Sequence, residues 1–135
     1  LLTVLQGPVT PEGLRRATEA GRVLGQQHRA GIGALTIIEA DIPMPDGEAR
    51  RVSAKLTKES DAWVKAQATV ILGDGFWRST ARSVVTGILL LARGDRPRRA
   101  FGEIDEGTRW IADEVGLPKE RWERLVVFVD QLRAN

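Results

Sequence analysis

Four carboxylates fall where short apolar runs end. Glu39 and Asp41 follow IGALTII, Asp46 closes the loop DIPMPDG, and Asp74 follows ATVIL. If those runs are parallel strands, the acids gather at the carboxyl edge of a sheet, where α/β proteins place ligands. Carboxylates so placed could hold Mg²⁺, or one of them could accept a phosphoryl group. A lysine to assist such an acceptor after a later strand is missing, since RRAFGE supplies none. Helix capping and solvation account for the same four acids without chemistry, and we expect neither a catalytic residue nor a metal site among them.

The turn Gly73-Asp74-Gly75 precedes a helix-like run that carries Arg78 and Ser79 in its first turn and Arg82 one turn later. Glycines at a strand-to-helix turn can open backbone N–H groups to an anion, such as the phosphate of a nucleotide. Gly73, Gly75, Arg78, Ser79 and Arg82 are therefore the candidate ligand-binding set. The run matches neither GxGxxG nor a GxxxxGK[ST] loop, and Asp74 would repel an anion. In the structural reading the glycines form the turn and Asp74 caps the helix.

Other chemistries lack material. The chain has no cysteine and one histidine, His28. Thiolate and His-paired nucleophiles, disulfides and zinc sites are excluded on that count. The spacing puts His28 on the inner face of the first helix near its end, where the helix dipole satisfies an imidazole. No cofactor is expected.

At 135 residues, 42% hydrophobic and 28% charged, the chain suits one domain with a core of its own. Arginine outnumbers lysine 16 to 4, yet the net charge is only +2. The densest basic run, Arg93, Arg96, Arg98 and Arg99, has no aromatic residues between its members to stack bases. We read it as a solvated loop before a strand, and a nucleic-acid partner is not expected. The longest apolar stretch of the third helix, Val84 to Ala92, is far short of the roughly 20 residues of a membrane span. The first residues have no basic segment of the signal-peptide kind, and a cytoplasmic protein is expected. A start at Leu1 instead of Met suggests truncation or processing.

The elements that must hold these residues alternate. LTVL reads as a strand; Thr10-Pro11-Glu12 reads as an N-cap, a proline at the first helical position and an acid in the first turn. Leu14, Ala17, Gly21 and Leu24 share one face of that helix, whose small residues permit close approach to a sheet. IGALTIIEA and ATVILG read as strands covered on both faces. Between them Asp46 caps a helix that turns Ala49, Val52, Leu56 and Trp63 inward. A strand over Arg99 to Gly102 and helices over Asp105 to Val115 and Pro118 to Arg133 complete an α/β order with parallel inner strands.

The helix from Phe76 to Arg93 carries an apolar arc of Trp77, Ala81, Val84, Val85, Ile88, Leu91 and Ala92. Leu90 falls instead on the polar arc near Ser79 and Ser83, flanked by Phe76 and Gly87. Apolar residues on a polar face are candidate partner contacts. In the last helix Trp122, Leu125, Val126, Val129 and Leu132 cluster on one side while Val127 points away.

The order TVLQG–TPEGL, LTIIEAD, PDGEARR, ATVILGDGFWRSTARSVVTGILLLAR and RRAFGEIDEGTRWI resembles the STAS-like (SpoIIAA-like) proteins, a poorly characterised bacterial group of single-domain members above all. The resemblance spans Leu2 to Val115. It implies a small mixed, mostly parallel sheet of four or five strands with helices mainly on one side over residues 1–116. Residues 117–135 would add a helix packed on that domain.

The resemblance also implies a non-catalytic regulatory or scaffolding role exercised by docking a protein partner, a second copy of the chain included. Phe76, Leu90, Asp46 and Trp122 are the partner contacts we expect on this chain's own surfaces. Family members that antagonise anti-sigma factors carry a phosphorylatable serine before the second helix. Here that turn reads Pro45-Asp46-Gly47-Glu48, without one, and Ser53 comes too late to replace it. The alternative is a nucleotide or other anion bound at Gly73–Ser79.

Overall fold

The computed structural model describes residues 1–135. In chain order the elements are β1 (Leu2–Leu5), α1 (Pro11–Gln26), β2 (Ile32–Ile38), α2 (Gly47–Glu59), β3 (Val64–Ile71), α3 (Gly75–Ala92), β4 (Arg98–Phe101), α4 (Ile104–Val115) and α5 (Lys119–Ala134), with a single 3-10 turn at Ser60–Ala62. The strands form one sheet in the order β1-β2-β3-β4, and every neighbouring pair is parallel. The small α/β sheet expected from the pattern is thus four-stranded with no antiparallel member. Each strand is followed by a helix that returns the chain to the same end.

Strand order that never reverses has a consequence for layering. Three successive right-handed crossovers place α1, α2 and α3 on one face. With no further strand to reach, α4 and α5 are left to cover the other. Ile111 of α4 and Val129 of α5 pack there with Leu35, Ile37, Ala66, Ala68 and Val70. Val129 is fully buried, so α5 belongs to the core of the domain. The approach of α4 is close: a Cβ at Gly107 would lie 2.5 Å from Val70 Cγ2. The opposite face is packed more loosely and encloses a cavity of about 300 Å³ beneath α1–α3.

The helix signals act as read. Thr10 Oγ1 accepts from the Gly13 amide at 3.1 Å with Pro11 as the first helical residue, and Asp46 Oδ1 accepts from the Ala49 amide at 2.8 Å. Gly116, left-handed at φ 70°, stops α4.

Four local readings are corrected. His28 is not on α1, because the Gln27 and His28 amides close the last turn on Leu24 and Gly25, and its side chain is exposed. Trp63 is not on α2. It follows the 3-10 turn, and its ring lies against α1, where a Cβ at Gly21 would come 2.5 Å from the ring and a Cβ at Gly25 2.6 Å from Trp63 Cβ. The small-residue face of α1 therefore receives an indole. Leu91 is exposed, because the inner arc of α3 narrows to Ala92 in its last turn. Finally, β3 begins at Val64, ahead of ATVIL, since Ile32 and Gly33 of β2 pair with Val64 and Ala66 despite the polar Lys65 and Gln67.

Candidate functional site

All four strands end at one edge, yet the acids placed there do not assemble. Glu39 receives Arg133 Nε at 2.5 Å, an ion pair that ties α5 to the end of β2. The bond to this carboxylate raises the Arg133 guanidinium above its ordinary pKa. Asp46 spends its carboxylate capping α2. Asp41 stands at φ 63°, exposed in the loop after β2. No three His, Asp or Glu side chains lie close enough to share a metal ion.

At the start of α3, Gly73 (φ 95°) and Gly75 (φ 59°) adopt the left-handed backbone that the turn needs. Asp74 occupies the N-cap position but its side chain accepts no bond from the helix, which corrects the capping role read for it. Ser79 is exposed in the following turn. Arg78 and Arg82, one turn apart, both lie toward the end of β4. The Arg78 guanidinium packs on Gly102, filling the space a Cβ would need, and Arg82 lines a groove that Gly102 also lines.

That groove runs along the free edge of β4 between α3 and α4 and encloses about 780 Å³. Leu90, 71% exposed, stands on its α3 wall. Phe101 and Trp110 form its apolar floor, with ring centroids 5.7 Å apart. Arg82, Arg99 and Arg109 supply positive charge and Glu106 and Asp113 negative charge, and Arg99 also covers the Phe101 ring at 5.4 Å. Gln67 donates its amide to the Pro97 carbonyl. By the alternation of a parallel ladder, Arg99 and Phe101 then bond β3, and the backbone groups of Arg98 and Ala100 face outward.

The remaining candidates lie elsewhere. Phe76, 88% exposed, is fourteen positions from Leu90 on α3, about 21 Å along the axis, so the two do not form one patch. Trp122 is half-buried, with Arg109 over its ring at 5.4 Å and its Nε1 buried without an acceptor. Beyond it, Val127 and Phe128 are exposed on the outer side of α5.

Arg98 is the residue that the sequence reading misplaced. Its side chain is only 7% exposed. Nε donates to Gln67 Oε1 at 3.1 Å, and Nη2 donates to the Thr57 carbonyl at 2.9 Å and to Ser60 Oγ at 3.1 Å. Nη2 also lies 2.6 Å from Asp61 Oδ1, close but not aligned as a hydrogen bond. Burial alone would raise the Asp61 carboxyl; Arg98 and the Asp95 amide outweigh it and hold the group below its ordinary pKa. Arg98 thus joins β4 to the end of α2, and of the four arginines read as a solvated loop it alone is buried. Nothing in the local run distinguishes it from Arg96 or Arg99.

Comparison with protein-family models, curated proteins and solved structures finds no match to this chain. The likeness to SpoIIAA-like proteins rests on the sequence pattern alone. No helix is long and apolar enough to cross a membrane.

Proposed function

We propose that this chain is a cytoplasmic regulatory or scaffolding domain that acts without catalysis, by docking a protein partner on the β4 edge. The observation that carries the reading is the exposure of Leu90 beside an unpaired strand edge. An extended segment of a partner, or β4 of a second copy, would find outward-facing backbone groups at Arg98 and Ala100 for main-chain bonding. It would find Leu90, Phe101 and Trp110 for apolar side chains, and Arg82, Arg99 and Arg109 beside Glu106 and Asp113 for charged ones of either sign. A partner segment mixing apolar and charged residues fits this lining. Asp46 and Trp122, engaged in capping and in α4–α5 packing, contribute less than the sequence alone suggests.

The test compares the unmodified protein with Leu90→Glu by native mass spectrometry and sedimentation. The substitution places a carboxylate in the groove and should abolish association while leaving the circular dichroism and Tm unchanged. If the variant unfolds, or if every complex survives in it, the groove is not the docking face.

One feature favours the alternative, an anion at Gly73–Ser79: Asp74 leaves the first amides of α3 uncapped. Thermal stabilisation by nucleotides that disappears in Ser79→Ala and Arg78→Ala would support it. A flat response across a nucleotide panel would dismiss it.

A further inference from the structure

Three threonines stand in register across the middle of the sheet, Thr3 beside Thr36 and Thr36 beside Thr69. Each sits between apolar neighbours, in Leu2-Thr3-Val4, Leu35-Thr36-Ile37 and Ala68-Thr69-Val70. Side chains alternate along a strand. The neighbours therefore enter the core beneath α4 and α5, while the three hydroxyls all line the cavity beneath α1–α3.

These hydroxyls have no partner in the protein. The threonine hydroxyls that do bond are those of Thr10, which caps α1, and Thr108, which donates to the Ile104 and Asp105 carbonyls. Thr69 is 7% exposed, and Thr3 and Thr36 are half-buried. None of the three hydroxyl oxygens is sealed off, so the row stays open to whatever fills the cavity. A hydroxyl with nothing to bond in a mostly apolar site costs stability, and a molecule in the cavity that bonds the row would offset it. Gln67 adds a donor on the same face. Arg98 can only donate, so it fixes the Gln67 amide oxygen toward itself and leaves the NH₂ end for another partner.

The rest of the cavity describes its occupant. Its volume of about 300 Å³ is at the small end of the range for ligand pockets. Ala17, Ala34 and Ala81 keep it wide, and no acidic or basic side chain lines it. A charged group inside would meet no counter-charge. Trp77, fixed by its Nε1 bond to the Ile42 carbonyl at 3.1 Å, stands at the carboxyl end, and Trp63 stands at the amino end of β3. The exposed lining residues, Pro8, Thr10, Gly13 and Pro43, all lie beyond the carboxyl ends of the strands, where the cavity meets solvent.

We propose that this cavity binds a small uncharged molecule, largely apolar and bearing an alcohol or carbonyl group that bonds the Thr3–Thr36–Thr69 row. The site is distinct from the β4 groove and shares only Leu89 with it.

The uncharged dye N-phenyl-1-naphthylamine and the alcohol 1-octanol test the proposal on the native protein. The dye should bind saturably at one per chain, with energy transfer from Trp63 and Trp77, and 1-octanol should displace it. Ala17→Phe fills the cavity and should abolish uptake; Ala34→Leu fills it from β2 if the first variant does not fold. Thr69→Val and Thr36→Val should each weaken 1-octanol about five- to tenfold, the loss of one buried hydrogen bond. Leu90→Glu should leave dye binding unchanged. Uptake that never saturates, or that persists in a folded cavity-filled variant, would overturn the proposal. So would 1-octanol affinity indifferent to both threonine substitutions, because the cavity would then be an apolar packing defect.

Discussion

Arg98 Nη2 lies 2.6 Å from Asp61 Oδ1, and through this contact the amino end of β4 is fastened to the turn that follows α2. The Asp95 amide reaches the other oxygen of the same carboxylate at 3.0 Å, and Arg96 Nε reaches the Asp61 carbonyl at 3.1 Å. The loop from α3 to β4 is therefore held by one acidic residue. It has no slack: a Cβ on Gly94 would stand 2.5 Å from Arg98 Nη1 and 2.9 Å from Asp61 Oδ1.

Removing one partner of this pair leaves a buried charge behind. Asp61→Asn should lower stability by about 3 kcal/mol at neutral pH, measured by urea unfolding. The Asp61 pKa is depressed in the folded protein, so its contribution is complete above the unfolded value of about 4 and is lost as pH falls through the folded value. The gap between the unmodified protein and Asp61→Asn should accordingly close below about pH 4. A gap that stays constant down to pH 2 would show that the carboxylate charge is not what holds the loop.

Two glycines in helices should respond in opposite directions to alanine. A Cβ at Gly25 would come 2.6 Å from Trp63 Cβ, an atom too near the backbone to yield, and Gly25→Ala should cost about 1–3 kcal/mol. Gly87 in α3 has nothing within 4 Å of a Cβ, and Gly87→Ala should stabilise by about 0.5–1 kcal/mol through helix propensity alone. Thermal unfolding of the two variants decides the matter. A stabilised Gly25→Ala would mean that the indole does not rest on α1.

Val129 is fully buried against the sheet. If α5 is part of the domain core, Val129→Ala should cost about 2 kcal/mol in a single cooperative transition. A separate early transition would instead mark α5 as an independently melting appendage.

Leu90 makes the contrasting case. At 71% exposure, its replacement by glutamate removes little packing. The Tm should move by no more than the equivalent of about 0.5 kcal/mol, while association through the groove weakens roughly thirtyfold or more. Equal loss of stability and association would place Leu90 in the core instead.

Much of this was legible in the residues. Thr10-Pro11 and Asp46 announced two helix starts because capping is local, a side chain bonding an amide three positions on. LTVL announced a strand by its weak alternation before Gly7-Pro8, and GALTII and ATVI did so because burial on both faces leaves few polar residues in a run. Leu90 was legible as an intruder on a polar arc because helical periodicity is also local. Even the threonine row left a trace, an apolar-Thr-apolar triplet in three successive strands.

Other features depended on register, strand order and packing distance, which no single segment contains. The threonines become a row only because β1, β2 and β3 align Thr3, Thr36 and Thr69 side by side. Arg98 differs from Arg96 and Arg99 only because the turn carrying Asp61 folds over it. The groove exists only because strand order runs to β4 without reversal and leaves that edge unpaired. Local physics chose the elements of this protein; long-range pairing decided which of their side chains would meet.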